Sequence, residues 1–197
     1  MDTTLKIKVI VGSTRANRFS EKPAHFIFDE IKKVAGVDAE LLDLRDYPLP
    51  FFNEAQSPMM LKGMYSDETA KKWSAKIQEA DAFIVITPEY NHGAPAVLKN
   101  AFDWLSPEWA KKPIGFVSYG VVGGARSVEQ LRLTAIELSM VPTRNAINIS
   151  SDMYRTIVNE PTPVNPELFK SLMEPINRVE MLFNELIGLA KALKTLR

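Results

Sequence analysis

The stretch from residue 82 to residue 105 constrains the fold more than any other. Ala82-Phe83-Ile84-Val85-Ile86 is an unbroken apolar run, which reads as a strand buried on both faces. It passes through the short polar loop Thr87-Pro88-Glu89-Tyr90-Asn91-His92-Gly93 into 94–105, which reads as a helix opened by Pro95 near its first turn. A strand apolar on both faces needs helices above and below it, which is the situation of a parallel sheet. The same order recurs along the chain. Strands are expected at 7–11, 38–44, 82–87, 114–119 and 143–149, and helices at 21–34, 67–80, 94–105 and 127–140. Alternation of this kind implies an α/β fold with helices on both faces of the sheet. Residues 51–63, polar and Met-rich, read as a long loop.

In an open parallel sheet, ligands lie outside the carboxyl ends of the strands, so the loops that leave those ends carry the functional information. The first is Gly12-Ser13-Thr14-Arg15-Ala16-Asn17-Arg18-Phe19-Ser20. Ser13, Thr14 and Ser20 offer hydroxyls, Arg15 and Arg18 offer positive charge, and the following helix offers N–H donors at its start. These are the ingredients of a phosphate site. The loop is neither a dinucleotide fingerprint, since G-x-G-x-x-G is absent, nor a Walker loop, since no Gly-Lys-Ser/Thr follows. The second is the loop at 87–93, where Glu, Tyr and Asn crowd together in a way an ordinary strand-to-helix turn does not require. The third is the glycine loop at 120–124, which follows Val117-Ser118-Tyr119.

Taken together, Gly-Ser-Thr-Arg at 12–15, Thr-Pro-Glu-Tyr-Asn-His-Gly at 87–93, Leu-Lys-Asn-Ala-Phe-Asp-Trp at 98–104 and Val-Ser-Tyr-Gly-Val-Val-Gly-Gly at 117–124 resemble the NADPH-dependent FMN reductase family. The resemblance covers about residues 5–150 in the family's order. It implies a flavodoxin-like, doubly wound five-stranded sheet in the order 2-1-3-4-5, which is the handedness and order that places FMN at the switch between strands one and three. It implies that Ser13, Arg15, Arg18 and Ser20 hold the FMN phosphate. Pro88, Glu89, Tyr90, Asn91 and Gly93 would line the ribityl chain and ring edge, mainly through backbone groups. Ser118, Tyr119, Gly120, Gly123 and Gly124 would form the second wall. The implied activity is hydride transfer from NADPH or NADH to the flavin, then electron delivery to a small acceptor: flavin, quinone, azo compound or metal oxyanion. The flavin carries this chemistry, so no catalytic side chain is assigned. The rival readings are a flavodoxin-like electron carrier and an FMN-binding sensor.

Composition narrows the alternatives. With 24 basic and 24 acidic residues the formal net charge is zero, which gives no argument for nucleic acid or an anionic membrane as partner. No stretch approaches the roughly 20 apolar residues of a membrane span. There are no cysteines, so disulfides and thiolate chemistry are excluded. Met1-Asp2-Thr3-Thr4 leads directly toward the first strand, so a signal peptide is not expected and the cytoplasm is the expected location. The two histidines, His25 and His92, form no metal-ligand pair, and no metal site is expected. A hydrolase is disfavoured because residues 115–120 do not have G-x-S-x-G spacing.

All 197 residues are expected to form one unit, with 160–197 a Pro-containing linker and a C-terminal helix. Asn165-Pro166-Glu167 reads as an N-cap followed by Pro at the first helical position. Phe169, Leu172, Ile176, Val179, Phe183, Leu186 and Ala190 then recur at helical spacing, with Pro175 expected to kink or split the helix. Packing against the sheet is the favoured reading of this stripe. Val97, Leu98, Ala101, Phe102, Trp104 and Leu105 cover more of the 94–105 helix than one core-facing stripe requires. That surplus predicts a homodimer contact, or a homotetramer built from it.

Overall fold

The computed structural model describes residues 4–173 and 176–197. Five strands, β1 (Leu5–Val11), β2 (Val37–Asp43), β3 (Ala82–Pro88), β4 (Pro113–Tyr119) and β5 (Val141–Ile149), form a parallel sheet in the order β2-β1-β3-β4-β5. The helices are α1 (Glu21–Ile31), α2 (Pro58–Leu61), α3 (Glu68–Gln78), α4 (Ala96–Asp103), α5 (Ala125–Glu137), α6 (Ser151–Ile157), α7 (Pro166–Ser171) and α8 (Arg178–Lys194). The alternation and strand order are those expected. The loop expected at 51–63 contains the single turn of α2, and α6 was not anticipated.

Strand periodicity divides the side chains between two cores. Along β3, Ala82, Ile84 and Ile86 enter a core shared with Ile27 of α1, Phe169 of α7 and Leu182 and Leu186 of α8. Phe83 and Val85 point the other way, toward Trp73 of α3, Phe102 of α4 and Leu131 of α5. The C-terminal stripe therefore packs on the sheet, except for Ile176, which is 52% exposed. Asn165 caps α7 by accepting from the Glu167 backbone N–H at 2.9 Å, and Pro166 occupies the first turn. The break expected at Pro175 and residues 1–3 fall outside the described residues.

The surplus apolar surface on α4 has a different explanation from the one expected. Leu98, Ala101, Phe102, Trp104 and Leu105 are all buried within this chain. Much of the cover comes from the segment after β2. Trp104 Nε1 and Asn100 Nδ2 donate to the Pro50 carbonyl at 2.7 and 2.9 Å, the Phe52 N–H donates to Asn100 Oδ1 at 3.0 Å, and the Phe52 ring lies 5.2 Å from Trp104. Only Val97 stays substantially exposed, at 40%. The surplus on this helix therefore does not require a second subunit.

At the sheet edge, β5 bulges: Ile114 pairs with Pro142 but Phe116 pairs with Ala146. The freed backbone groups are capped by side chains. Glu185 of α8 accepts from the N–H groups of Arg144 (2.7 Å) and Asn145 (2.9 Å), and Arg132 of α5 donates to the carbonyls of Thr143 (3.0 Å) and Arg144 (2.7 Å). Such a bulge keeps an edge strand from templating further pairing.

Candidate active site

Three loops gather at the carboxyl ends of β1, β3 and β4, as the motifs require. Gly12 lets the first leave its strand tightly: a Cβ there would lie 2.8 Å from both the Ile86 carbonyl oxygen and Leu98 Cδ2. Its neighbour Ser13 is buried and shares a hydrogen bond with the Tyr90 hydroxyl at 3.0 Å, which joins the first loop to the second across the β1–β3 crevice. Arg15 stands exposed on the loop. Ser20, at the amino end of α1, is completely buried, and its Oγ makes no hydrogen bond of good geometry, with the Tyr119 phenol its nearest candidate. A buried hydroxyl left unpaired is costly, and one at a helix amino end suits an anion that both can bind. The loop therefore fits the terminal phosphate of a mononucleotide.

Arg18 is placed otherwise than expected. Its guanidinium is buried and forms a two-pronged ion pair with Asp43 at the end of β2, bonds Glu21 through Nε at 3.2 Å, and donates to the Ser13 carbonyl. Burial works against its charge, but Asp43 and Glu21 outweigh it and raise its pKa. Asp43 is held below its usual range by the same pairing, despite its own desolvation. With its donors directed to these groups, Arg18 braces the loop from beneath.

The second loop is a tight reversal. Asn91 (φ 49°) and His92 (φ 68°) both adopt left-handed conformations, and Tyr90 and Gly93 exchange backbone hydrogen bonds of 2.9 and 3.0 Å. That is the pattern of a type I′ turn. Pro88 ends β3 opposite Tyr119, and the Glu89 N–H donates to the Tyr119 carbonyl at 2.9 Å. The Glu89 side chain is taken up by Arg126, which leaves its backbone for the crevice. Its carboxylate accepts from the Arg126 backbone N–H at 3.1 Å and from Arg126 Nε at 2.6 Å. Burial would raise its pKa, yet the Arg126 bonds hold it below the ordinary carboxylate range.

On the third loop Ser118 is also committed internally. Its hydroxyl donates to the Gly123 carbonyl at 2.7 Å and accepts from Asn148 Nδ2 at 2.8 Å. Gly124 has φ 76°, and a Cβ there would come within 2.7 Å of Ser118 Cβ and of the Tyr119 backbone nitrogen, so this return admits only glycine. Gly120 and Gly123 complete the turn. The Tyr119 ring packs edge-on against Phe19 at 4.9 Å, and its phenol, pushed up to about 12 by burial, lies beside Ser20. Ser13, Ser20, Tyr90 and Tyr119 thus form the wall between the first loop and the other two, while Arg18, Glu89 and Ser118 act as supports.

Three supporting residues were not singled out from the sequence: Asp43, Arg126 and Asn148. Their signals were local, an acid closing the second strand, an Arg two positions after Gly124 and an Asn near the end of the fifth strand, but nothing local names the partners. Beside Thr14, a cavity of about 390 Å³ opens between the first loop, Arg45, Tyr47, Pro48 and Leu49 after β2, and Val97 and Asn100 of α4.

Residues 5–153 match the model of the NADPH-dependent FMN reductase family. The chain belongs to this family. An NAD(P)H-dependent FMN reductase of Schizosaccharomyces pombe is 40% identical over 151 residues, 76% of each chain. An NAD(P)H:quinone oxidoreductase of Solanum tuberosum is 32% identical over 141 residues, 69% of this chain and 70% of its own. Among solved structures, the flavoenzyme NAD(P)H:(acceptor) oxidoreductase FerB of Paracoccus denitrificans superposes over 98% of both chains with a TM-score of 0.67 at 20% identity, a likeness of fold. The protein is a flavin-dependent oxidoreductase with FMN as cofactor and NAD(P)H as donor.

Proposed function

We propose that FMN lies across the β1–β3 crevice with its phosphate at Arg15, Ser20 and the amino end of α1, its chain along Ser13 and Tyr90, and its ring between the 88–93 turn and the 119–124 loop, and that the acceptor is a small quinone. The observation that carries the placement is the buried Ser20 Oγ at the amino end of α1, which makes no hydrogen bond of good geometry. Bound FMN would supply the capacity to take a hydride from reduced nicotinamide and release electrons to the acceptor. The protein's part is binding and exclusion of water. Tyr90 and Tyr119 bound the crevice, Asn91 and Gly93 present backbone groups, and Pro88, Gly120, Gly123 and Gly124 allow close approach of the main chain. Glu89, Arg18 and Ser118 hold the loops in shape.

A quinone is supported by relatives named as quinone reductases, among them a 2-hydroxy-1,4-benzoquinone reductase of Burkholderia, and by the partly apolar cavity beside Thr14. Steady oxidation of NADPH by the FMN-loaded protein with a benzoquinone present is the expected result. Reduction of the flavin without turnover would instead identify an electron carrier or sensor. We further propose one unit over 1–197, a cytoplasmic setting, supported by the cysteine-free sequence, and a homodimer or homotetramer. Support for assembly comes from the exposed apolar residues Phe51 and Val97 rather than from the buried face of α4. Light scattering that returned a monomer near 22.1 kDa with full activity would reject the assembly. No helix among the described residues is long and apolar enough to cross a membrane.

A further inference from the structure

The turn after β3 is gripped by one helix. Arg126, the second residue of α5, gives its backbone N–H, Nε and one terminal nitrogen to the Glu89 carboxylate and turns Nη1 to His92 Nε2 at 2.7 Å. Four residues along α5, Gln130 Nε2 donates to the His92 carbonyl at 2.8 Å. An arginine has no acceptor, so His92 Nε2 must offer its lone pair, and the neutral ring carries its proton on Nδ1. These contacts clasp both ends of Glu89-Tyr90-Asn91-His92. Between them Asn91 and His92 hold positive φ, a conformation uncommon outside glycine but one that Asn and His adopt more readily than most residues. The Glu89 side chain is 4% exposed against 36% for Arg126, so the pair is anchored in the protein at one end and reaches the surface at the other.

We propose that Arg126 is a positioning residue for flavin binding: by holding Glu89 and His92 it sets the turn that presents Tyr90 and Asn91 to the crevice. This rests on the FMN placement above. Arg126 makes no hydrogen bond or ion pair with Arg15 or Ser20, so its effect passes through the turn. A purely structural ion pair would lower stability without loosening this turn in particular.

The test compares wild type with Arg126→Gln and Arg126→Lys in two measurements. Titration with FMN, read by quenching of flavin fluorescence, gives the dissociation constant. Hydrogen exchange on the flavin-free proteins reads the Tyr90 and Gly93 amides, which bond each other's carbonyls at 2.9 and 3.0 Å. Loss of charge-assisted bonds in Arg126→Gln is expected to weaken FMN by about tenfold and to speed exchange at those two amides. Arg126→Lys keeps the charge opposite Glu89 without the planar fork, and should recover part of both effects. Unchanged affinity and exchange in Arg126→Gln would overturn the proposal. So would protection lost evenly across the sheet, or a Lys variant no better than the Gln variant. If wild type itself fails to bind FMN, the placement above falls with it, and the exchange data still show whether Arg126 holds the turn.

Discussion

The Ser13 hydroxyl and the Tyr90 phenol meet at 3.0 Å across the crevice between β1 and β3. Ser13 is 1% exposed and Tyr90 37%, so a surface ring is tethered by its tip to a buried group on the neighbouring loop. Tyr90→Phe keeps the ring and removes the tether, leaving Ser13 Oγ with only the long 3.5 Å approach of the Arg15 N–H. Stability of the flavin-free protein should fall by about 1 kcal/mol, measured by urea denaturation. An unchanged midpoint would mean that the pair contributes nothing.

Two arginines on the phosphate loop should fail in opposite ways. Arg15 is exposed, and Arg15→Ala should weaken FMN by roughly 10- to 150-fold while the flavin-free fold survives and excess FMN partly restores activity. Arg18 is buried against Asp43, and Arg18→Ala leaves that carboxylate only the Arg45 N–H at 2.9 Å, which should cost about 3 kcal/mol of stability before any flavin is added. Thermal melts and FMN titrations on both variants separate the two roles. Equal losses of affinity, with equal melting points, would return Arg18 to the phosphate.

This contrast marks where the sequence stopped being legible. The strands were readable because apolar runs such as 82–86 admit few other structures, and the order of the loops followed from motifs that each sit at one strand end. The direction of a charged side chain was not readable. Arg18 finds Asp43 and Glu89 finds Arg126 at separations of 25 and 37 residues, and no local pattern distinguishes a cation aimed at a ligand from one aimed at a distant carboxylate. The apolar surplus on α4 misled for the same reason: its cover, Pro50 and Phe52, arrives from a stretch that reads only as loop. Helix α6 escaped because it is seven residues long and only Ile157 of it is buried.

Lys8 lies within β1 with its side chain 5% exposed, paired with Glu40 and Glu79, which Lys76 also bridges. Desolvation opposes ionisation of both carboxyls, but the lysine bonds prevail and lower both pKa values. A depressed carboxyl stabilises the fold above its unfolded pKa, near 4.3 for Glu, and this contribution disappears as pH falls through the folded value. Lys8→Met removes the buried charge while Lys76 remains on the half-exposed carboxylates. Its stability at neutral pH should stay within about 1 kcal/mol of wild type, and its loss on acidification below about pH 4 should be shallower. Denaturant titrations at a series of pH values test this, and a steeper acid loss in the variant would contradict it.

Lys112 is 5% exposed just before β4, and its Nζ donates to the carbonyls of Ile77 and Gln78 at 2.7 and 2.9 Å, satisfying the last turn of α3. Burial pushes the amine down to about 8, and the Arg197 charge adds to this against Asp81 and Glu108. A neutral amine still has two N–H groups, enough for both carbonyls, so losing the proton does not break the contact. The unfolded chain keeps its lysine protonated to about pH 10.4, so between the folded and unfolded values the unfolded state binds the extra proton and stability rises with pH. Lys112→Met lacks this titration and also takes the lysine donor from the Gln78 carbonyl, a cost of about 1–3 kcal/mol, while the Ile77 carbonyl keeps the Ala80 N–H at 3.3 Å. The stability difference in favour of wild type should therefore widen from about pH 8 to about pH 10, as denaturant unfolding of the two proteins would record. Parallel curves over that interval would show that the buried amine keeps an ordinary affinity for its proton.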